Sequence, residues 1–576
     1  MKVVIVGGVA GGGSTAARIR RLDEHAEIVV LERDAYVSFA NCGLPYHIGG
    51  TIPERASLLL QTAQGLARHL ALDVRVGHAT LRILRDSKEV EVEDRRGQRI
   101  YRESWDYLVL CPGAQPNRPP IPGIDDPRVH VLRNIPDMDR IIEQLDRGAA
   151  RGVVIGGSYI GLEVAEAFRE RGLDTTVIEM ADRLMPWLDP ELTRILHYHA
   201  SAHGVDVRLN TAARAFTDEG GQLTLALSDG TSLATDIVVM ATGVVPDVSL
   251  ARDAGLAIGP RGGIVVDAQM RTSAPDIFAA GDAVETPHLT TGAATLSNLA
   301  GPANRQGRIV GDVICGRDSG YRSTQGTGVV KVFDMTAGGT GMTESQARAE
   351  GLDYRKVHLH PSGHAGYYPG TTSMYLKVLF EPTEGRLLGA QVVGWDGIDK
   401  RIDVLATALR AGMTVYDLEH LELAYAPPYA SAKDPVNMAG FIGSNLLRGD
   451  IHLWYADEYP DCAARVTLLD VRSVDEHAHW TVPGALNIPH TELRERLHEV
   501  PRDKPVYTYC RSGFRSYLAY CLLKQRGFEQ VASLSGGIMT FHALHKTPMA
   551  TGQAGVPMVT YAEEILAQRP GGMDNA

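Results

Sequence analysis

The chain has 576 residues, with 57 basic and 69 acidic side chains for a net charge of −12. That length exceeds a single hydrophobic core and predicts about three to four domains, and an acidic balance without a basic block excludes nucleic acid and anionic membrane as main partners. No apolar run approaches the roughly 18 residues that span a bilayer, and the apolar start runs straight into glycines as a strand does, not a signal peptide.

The first predicted unit is a strand over 3–6, a glycine-rich turn over 7–13, a helix over 14–22, a strand over 28–31, and then Glu32. This is a βαβ dinucleotide unit: glycines admit a pyrophosphate, the helix start donates N–H groups, and the carboxylate takes ribose hydroxyls. Gly7, Gly8, Ala10, Gly11, Gly12, Glu32 and Arg33 are its candidate cofactor residues. Just downstream, Ser38-Phe39-Ala40-Asn41-Cys42-Gly43 places a thiol beside that site. A flavin and a helix N-terminus there are expected to lower its pKa.

The pattern repeats with a strand over 153–155, a turn over 156–161, a helix over 162–171, a strand over 175–178, and Glu179. Gly156, Ser158, Gly161 and Glu179 are the second set of cofactor candidates, and Val9 and Ser158 stand where the motif has its middle glycine. A carboxylate at Glu179 favours NADH over NADPH, whose 2′-phosphate it would repel.

Three further strings carry a resemblance. Residues 107–114, which include Gly113, and 237–243, ending in Gly243, resemble the strands and turns that close the FAD and nicotinamide domains of two-dinucleotide flavoproteins. Residues 272–282 resemble their second FAD motif, in which Asp282 would hold the ribityl–pyrophosphate region. Cys111 reads as packing, not redox.

Flavin disulfide reductases often carry C-x4-C, but the matching position after Cys42 is His47. One redox cysteine narrows the resemblance to coenzyme A-disulfide reductases, NADH oxidases and NADH peroxidases. The string Ser38–Tyr46, SFANCGLPY, is most similar to the first. So are the segments around Tyr367 and Tyr425, which in that family reach across a dimer and protonate a leaving thiolate. The resemblance further implies coenzyme A contacts at Ser14, Arg18, Arg21, Ser38, Asn41, Asn298 and Lys433. Strands are expected over 328–333, 373–380 and 389–393 and a helix over 399–411, in an α+β segment like the superfamily's dimerisation domain.

Residues 468–472 and 482–489 resemble the rhodanese domain, with a strand over 506–509 leading to Cys510. The loop is C-x4-R, closing at Arg515, one residue shorter than in the phosphatases of related architecture, and this favours sulfur over phosphate. Its backbone N–H groups are expected to curl around the sulfur. The six cysteines, at 42, 111, 315, 462, 510 and 521, contain no CxxC, so neither a disulfide framework nor a metal site is predicted.

The expectation is an α/β protein with two Rossmann-like domains, for FAD over 1–120 and 246–324 and for NAD over 121–245. A dimerisation domain over 325–445, a linker over 446–462, a rhodanese domain over 463–555 and a tail over 556–576 follow. The implied activity is an FAD-dependent reductase that uses NADH on coenzyme A persulfide, polysulfide or disulfide through Cys42, with Cys510 carrying sulfane sulfur. A cytoplasmic homodimer acting on small molecules is expected. The alternatives are an NADH oxidase or peroxidase with a Cys42 sulfenic acid, or a sulfur-trafficking or redox-sensing protein.

Overall fold

The computed structural model describes residues 1–545. The expected tail over 556–576, and the end of the segment expected to reach 555, lie outside the described residues. The chain divides into one unit of Met1–Asp182 with Gly204–Gln325, and a second of Arg183–His203 with everything from Gly326 onward.

The first unit contains two parallel five-stranded sheets. One runs Ile277–Ala279, Tyr107–Leu110, Lys2–Val6, Glu27–Glu32, Asp73–Val76. Its strands are apolar almost throughout because both faces are covered: the Ala10–Leu22 helix contributes Ala16 and Ile19 to this core, and the antiparallel sheet His78–Leu84, Glu89–Asp94, Arg99–Ser104 contributes Ile83, Val90 and Val92. Strand order reverses between Lys2–Val6 and Tyr107–Leu110, which opens a crevice at their carboxyl ends. The other sheet runs Val205–Arg208, Asp174–Ile178, Arg151–Ile155, Ile237–Met240, Val129–Val131 and reverses in the same way beside Arg151–Ile155.

The helices after the two glycine turns begin earlier than their glycines suggest, at Ala10 and Tyr159 instead of 14 and 162. Packing overrides the poor helix propensity of Gly11–Gly13. The Ala300–Ile314 helix lies so close that a Cβ on Gly307 would overlap the Gly11 carbonyl oxygen. Val9 and Ser158, the departures from the motif, are the residues that precede the helices, at φ −97° and −107°. Backbone of that kind needs no glycine.

The second unit holds an antiparallel sheet ordered Gly328–Val332, Met335–Gly341, Leu387–Gly394, Tyr375–Phe380, Arg355–Leu359. The expected strands and the helix, here Ile398–Arg410, appear with shifted ends. Met335–Gly341 went unforeseen because it is glycine-rich. Its glycines answer to close neighbours: a Cβ on Gly339 would lie 2.7 Å from the Trp187 ring.

Residues 183–203 were expected within the nicotinamide domain, yet they pack in this second unit. The helix Pro190–Ala202 is held there by charge. The Lys377 ammonium, fully buried, contacts Asp189 at 2.8 Å, Glu191 at 2.6 Å and Glu344 at 2.7 Å.

A parallel sheet completes the unit: Leu453–Trp454, Val531–Leu534, Val506–Tyr509, Thr467–Asp470, Leu486–Asn487. Its edge strand falls within the connection expected over 446–462, so that stretch is part of the last domain's sheet and not a free linker. Among the described residues no helix is long and apolar enough to cross a membrane.

Candidate functional site

Both glycine turns sit at the carboxyl edges of their sheets. Gly7 and Gly156 adopt φ of 97° and 114°, and a Cβ on either would overlap the carbonyl oxygen of Cys111 or Ala241 from the neighbouring strand. A Cβ on Gly12 or Gly161 would strike the Gly7 or Gly156 oxygen in turn. The acidic residues are fixed identically. Glu32 accepts from the Gly8 N–H at 2.9 Å and the Asp34 N–H at 3.0 Å. Glu179 accepts from the Gly157 N–H at 2.7 Å and the Ala181 N–H at 2.8 Å. Each carboxylate is thereby locked at the rim of its turn, where a ribose would meet it. The backbone crowded to glycine and the paired carboxylates fit two dinucleotides, FAD and NAD(P)H. Gly113 and Gly243, both at positive φ, lie in the turns that follow the adjoining strands Tyr107–Leu110 and Ile237–Met240. Arg33, by contrast, pairs with Asp247 at 2.9 Å.

Cys42 lies in the short turn Asn41–Gly43 ahead of the helix Leu44–Gly49 and is exposed. His47, at the position of the missing second thiol, directs Nδ1 to the Ile52 carbonyl at 2.6 Å. Three residues that the sequence reading did not single out surround this site. Arg133 donates to the Ala114 carbonyl at 3.0 Å and to Asp282 at 3.4 Å, while its own carbonyl accepts from Asn41 at 3.1 Å. Cys42, Asn41, Gly113 and Asp282 are thus brought to one place. Glu163 accepts from the Tyr46 hydroxyl at 3.2 Å. Burial raises the Glu163 carboxyl to about 7, with repulsion from Glu166 adding to it. Its only sequence signal was a charged residue inside an apolar helix stretch.

The protein atoms do not lower the Cys42 pKa as expected. Partial burial raises it, the Glu163 and Asp282 carboxylates add to the rise, and Arg133 opposes them. Cys111 is raised to about 12 by burial, in keeping with a packing role.

The coenzyme A candidates divide. Ser38, at φ 51°, donates its N–H to the Gly8 carbonyl and lines a cavity of about 350 Å³ with Gly13, Val37, Gln61, Leu66 and His69. Ser14 donates to Asn304 at 2.5 Å. Arg18 is turned to Asp312, donating at 2.8 and 2.5 Å, so it does not pair with Arg21, which is exposed. Asn298 is exposed ahead of the Ala300–Ile314 helix, and Lys433 is exposed in the second unit.

Also in the second unit, the Tyr367 and Tyr425 hydroxyls are 2.8 Å apart on an exposed face. Cys510 is buried and accepts from the Gly513 N–H at 3.2 Å. Gly513, at φ 107°, starts the helix Phe514–Gln525, so the helix N-terminus faces the sulfur. Among the described residues the Gly513 N–H is the one backbone N–H bonded to the sulfur where a ring of them was expected, and the Arg515 side chain also bears on it. Arg515 is clamped by Glu476 through two hydrogen bonds of 2.6 and 2.7 Å. That pairing is the main reason the Glu476 carboxyl falls to about 2. Beneath the loop, Asp470 accepts from Arg472 at 2.9 Å and His477 at 2.9 Å.

The chain matches a pyridine nucleotide-disulphide oxidoreductase family over residues 1–296, that family's dimerisation domain over 327–435, and a rhodanese-like domain over 454–544. A coenzyme A disulfide reductase of Staphylococcus haemolyticus is 33% identical over 77% of this chain and 100% of its own length. The crystal structure of reduced Bacillus anthracis CoADR-RHD is 44% identical, with a TM-score of 0.92 over 94% of this chain and 98% of its own. An NAD-dependent persulfide reductase from A. fulgidus is 39% identical, with a TM-score of 0.88 over 94% of this chain and 100% of its own.

Proposed function

The chain belongs to the pyridine nucleotide-disulphide oxidoreductase family and carries a rhodanese-like domain, and from this we propose that it reduces coenzyme A persulfide, polysulfide or disulfide with NADH. The observation that carries the reading is the pair of unlike thiol sites on one chain. Cys42 is exposed beside Arg133 and Asp282, and Cys510 is buried at a helix N-terminus. A disulfide reductase needs only the first; the second suits a sulfur carrier.

Bound FAD supplies the two-electron exchange between reduced nicotinamide and sulfur. For the persulfide the balance is CoA–SSH + NADH + H⁺ giving CoA–SH + H₂S + NAD⁺. The Cys42 thiolate attacks the substrate S–S bond, a bond to Cys42 Sγ forms, and a thiolate leaves. Tyr425 or Tyr367 protonates it, which a poor leaving group requires. In this reading the tyrosines come from the second subunit of a homodimer.

Cys510 takes sulfane sulfur from a donor as a persulfide, and Arg515, held by Glu476, steadies its charge. Glu179 favours NADH, because its carboxylate is fixed where a 2′-phosphate would have to sit. The coenzyme A contacts proposed are Ser38 and Asn41 with Ser14, and Arg21 as the accessible cation of its helix.

The test is anaerobic NADH oxidation by the FAD-loaded protein with coenzyme A persulfide and, separately, coenzyme A disulfide, assaying sulfide. Fast turnover with one sulfide per NADH is expected on the persulfide. Turnover on oxygen alone would replace this reading with an oxidase.

A further inference from the structure

The described residues hold two places where three metal-ligating side chains converge. In the first, Asp189, Glu191 and Glu344, the Lys377 ammonium already sits among the carboxylates and answers their charge. The second has different chemistry. His199, His203 and Asp334 bring two imidazole nitrogens and a carboxylate oxygen within 4.8 Å of one another.

We propose that His199, His203 and Asp334 form a binding site for a divalent transition-metal ion of the zinc class. The two histidines are four residues apart at the end of the Pro190–Ala202 helix, with His203 as the residue that closes it. That spacing places both rings on one face, and their centroids are 4.4 Å apart. His203 Nδ1 lies 2.8 Å from the His199 carbonyl. A carbonyl only accepts, so Nδ1 carries the proton and the lone pair is on Nε2. This is the second-sphere bond that orients a metal-bound imidazole. The Phe333 ring stacks on His203 at 4.2 Å and 9°, fixing its plane.

Asp334 arrives from the opposite side. Phe333 and Asp334 form the two-residue turn between the paired Val332 and Met335. Asp334 Oδ1 lies 2.8 Å from His199 Nε2 and 3.8 Å from His203 Nε2. Tetrahedral ligands at about 2.0–2.1 Å from zinc are roughly 3.3–3.4 Å apart, between these two distances. His199 is fully buried and Asp334 is 42% exposed, so an ion enters past the carboxylate and keeps its fourth position toward solvent. Two imidazoles with one carboxylate select zinc-like ions over magnesium or calcium, which prefer all-oxygen shells. The ion would clip the end of the helix to the hairpin, as Lys377 holds its start. No cysteine takes part, and the contributing segments are far apart in sequence, so a reading by motif spacing predicts no metal here.

The test is equilibrium dialysis of Zn²⁺ against the full-length, FAD-loaded, chelator-treated protein, with zinc-edge X-ray absorption on the loaded sample. One zinc per chain with a nitrogen and oxygen shell that includes imidazole is expected. Asp334→Asn, at an exposed position, and His203→Ala should each weaken binding by about tenfold or more. Absence of saturable binding, a sulfur-containing shell from the thiol sites, or unchanged affinity in Asp334→Asn overturns the proposal. Asp334→Asn decides the matter even where His203→Ala does not fold.

Discussion

Tyr367 and Tyr425, 58 residues apart in sequence, share one hydroxyl-to-hydroxyl hydrogen bond of 2.8 Å on an exposed face. The pairing raises the Tyr367 pKa, because its proton is shared with Tyr425. As a proton-donating pair they should act together. Tyr425→Phe is expected to lower kcat for persulfide reduction by about 10²-fold, within the range for lost general acid catalysis. Tyr367→Phe should cost less, and the double variant little more than Tyr425→Phe. Equal kcat in wild type and Tyr425→Phe, by stopped-flow under anaerobic conditions, would remove the pair from catalysis.

Glu163 stands against ionisation of Cys42. The sign is fixed by charge: an ionised carboxylate nearby disfavours a thiolate, so removing it lowers the thiol pKa. Glu163→Gln should move the midpoint of Cys42 alkylation, followed by mass spectrometry across pH 6 to 10, to lower pH. A midpoint that stays in place or rises contradicts the assignment.

The Glu179 carboxylate is held by the Gly157 and Ala181 N–H groups. Glu179→Ser removes the charge that opposes a 2′-phosphate. kcat/KM for NADPH should rise relative to NADH by about tenfold, the equivalent of about 1.4 kcal/mol. An unchanged ratio would mean that selectivity resides elsewhere.

Arg515 is placed by Glu476. The Glu476 pKa is depressed to about 2. The ion pair is therefore complete above the ordinary carboxylate value near 4.5 and lost only as pH falls through about 2. Glu476→Gln should reduce thiosulfate sulfurtransferase activity by about tenfold, and by the same factor at pH 6 and pH 8. A reduction that varies across that window would implicate another group.

Lys377 contacts Asp189, Glu191 and Glu344, each at 2.8 Å or shorter. Lys377→Met leaves buried carboxylates unanswered and should destabilise the second unit by about 3–5 kcal/mol in urea unfolding. Glu344, depressed to about 2 with Lys377 the leading attractive cause, adds stability that is present above about 4.5 and lost as pH falls toward 2. Glu344→Gln in the Lys377→Met background should restore part of the loss. No difference between Lys377→Met and wild type would show the cluster to be dispensable.

The chemistry-bearing motifs were legible in the sequence because each is local. Gly7 to Glu32, Gly156 to Glu179, and Cys510 to Arg515 are short stretches whose residue types are dictated by backbone crowding and charge. Apolar runs likewise marked the strands of the two dinucleotide-binding segments and the strand Val506–Tyr509. The boundaries were less legible, since the helices start at Ala10 and Tyr159 through packing, which no local propensity reports.

Only the tertiary structure decided what each charged side chain answers to. Arg18 and Arg21 lie three residues apart on one helix, yet Arg18 is consumed by Asp312 and Arg21 remains exposed. Arg133 and Glu163 reach the Cys42 site from distant parts of the chain, Glu163 by accepting from Tyr46 next to it. The helix Pro190–Ala202 leaves the unit its sequence neighbours belong to because Asp189 and Glu191 are drawn to the buried Lys377. A motif is set by the backbone a few residues either side of it. A buried charge is set by whichever partner the fold brings within about 3 Å, and chain order carries no record of that distance.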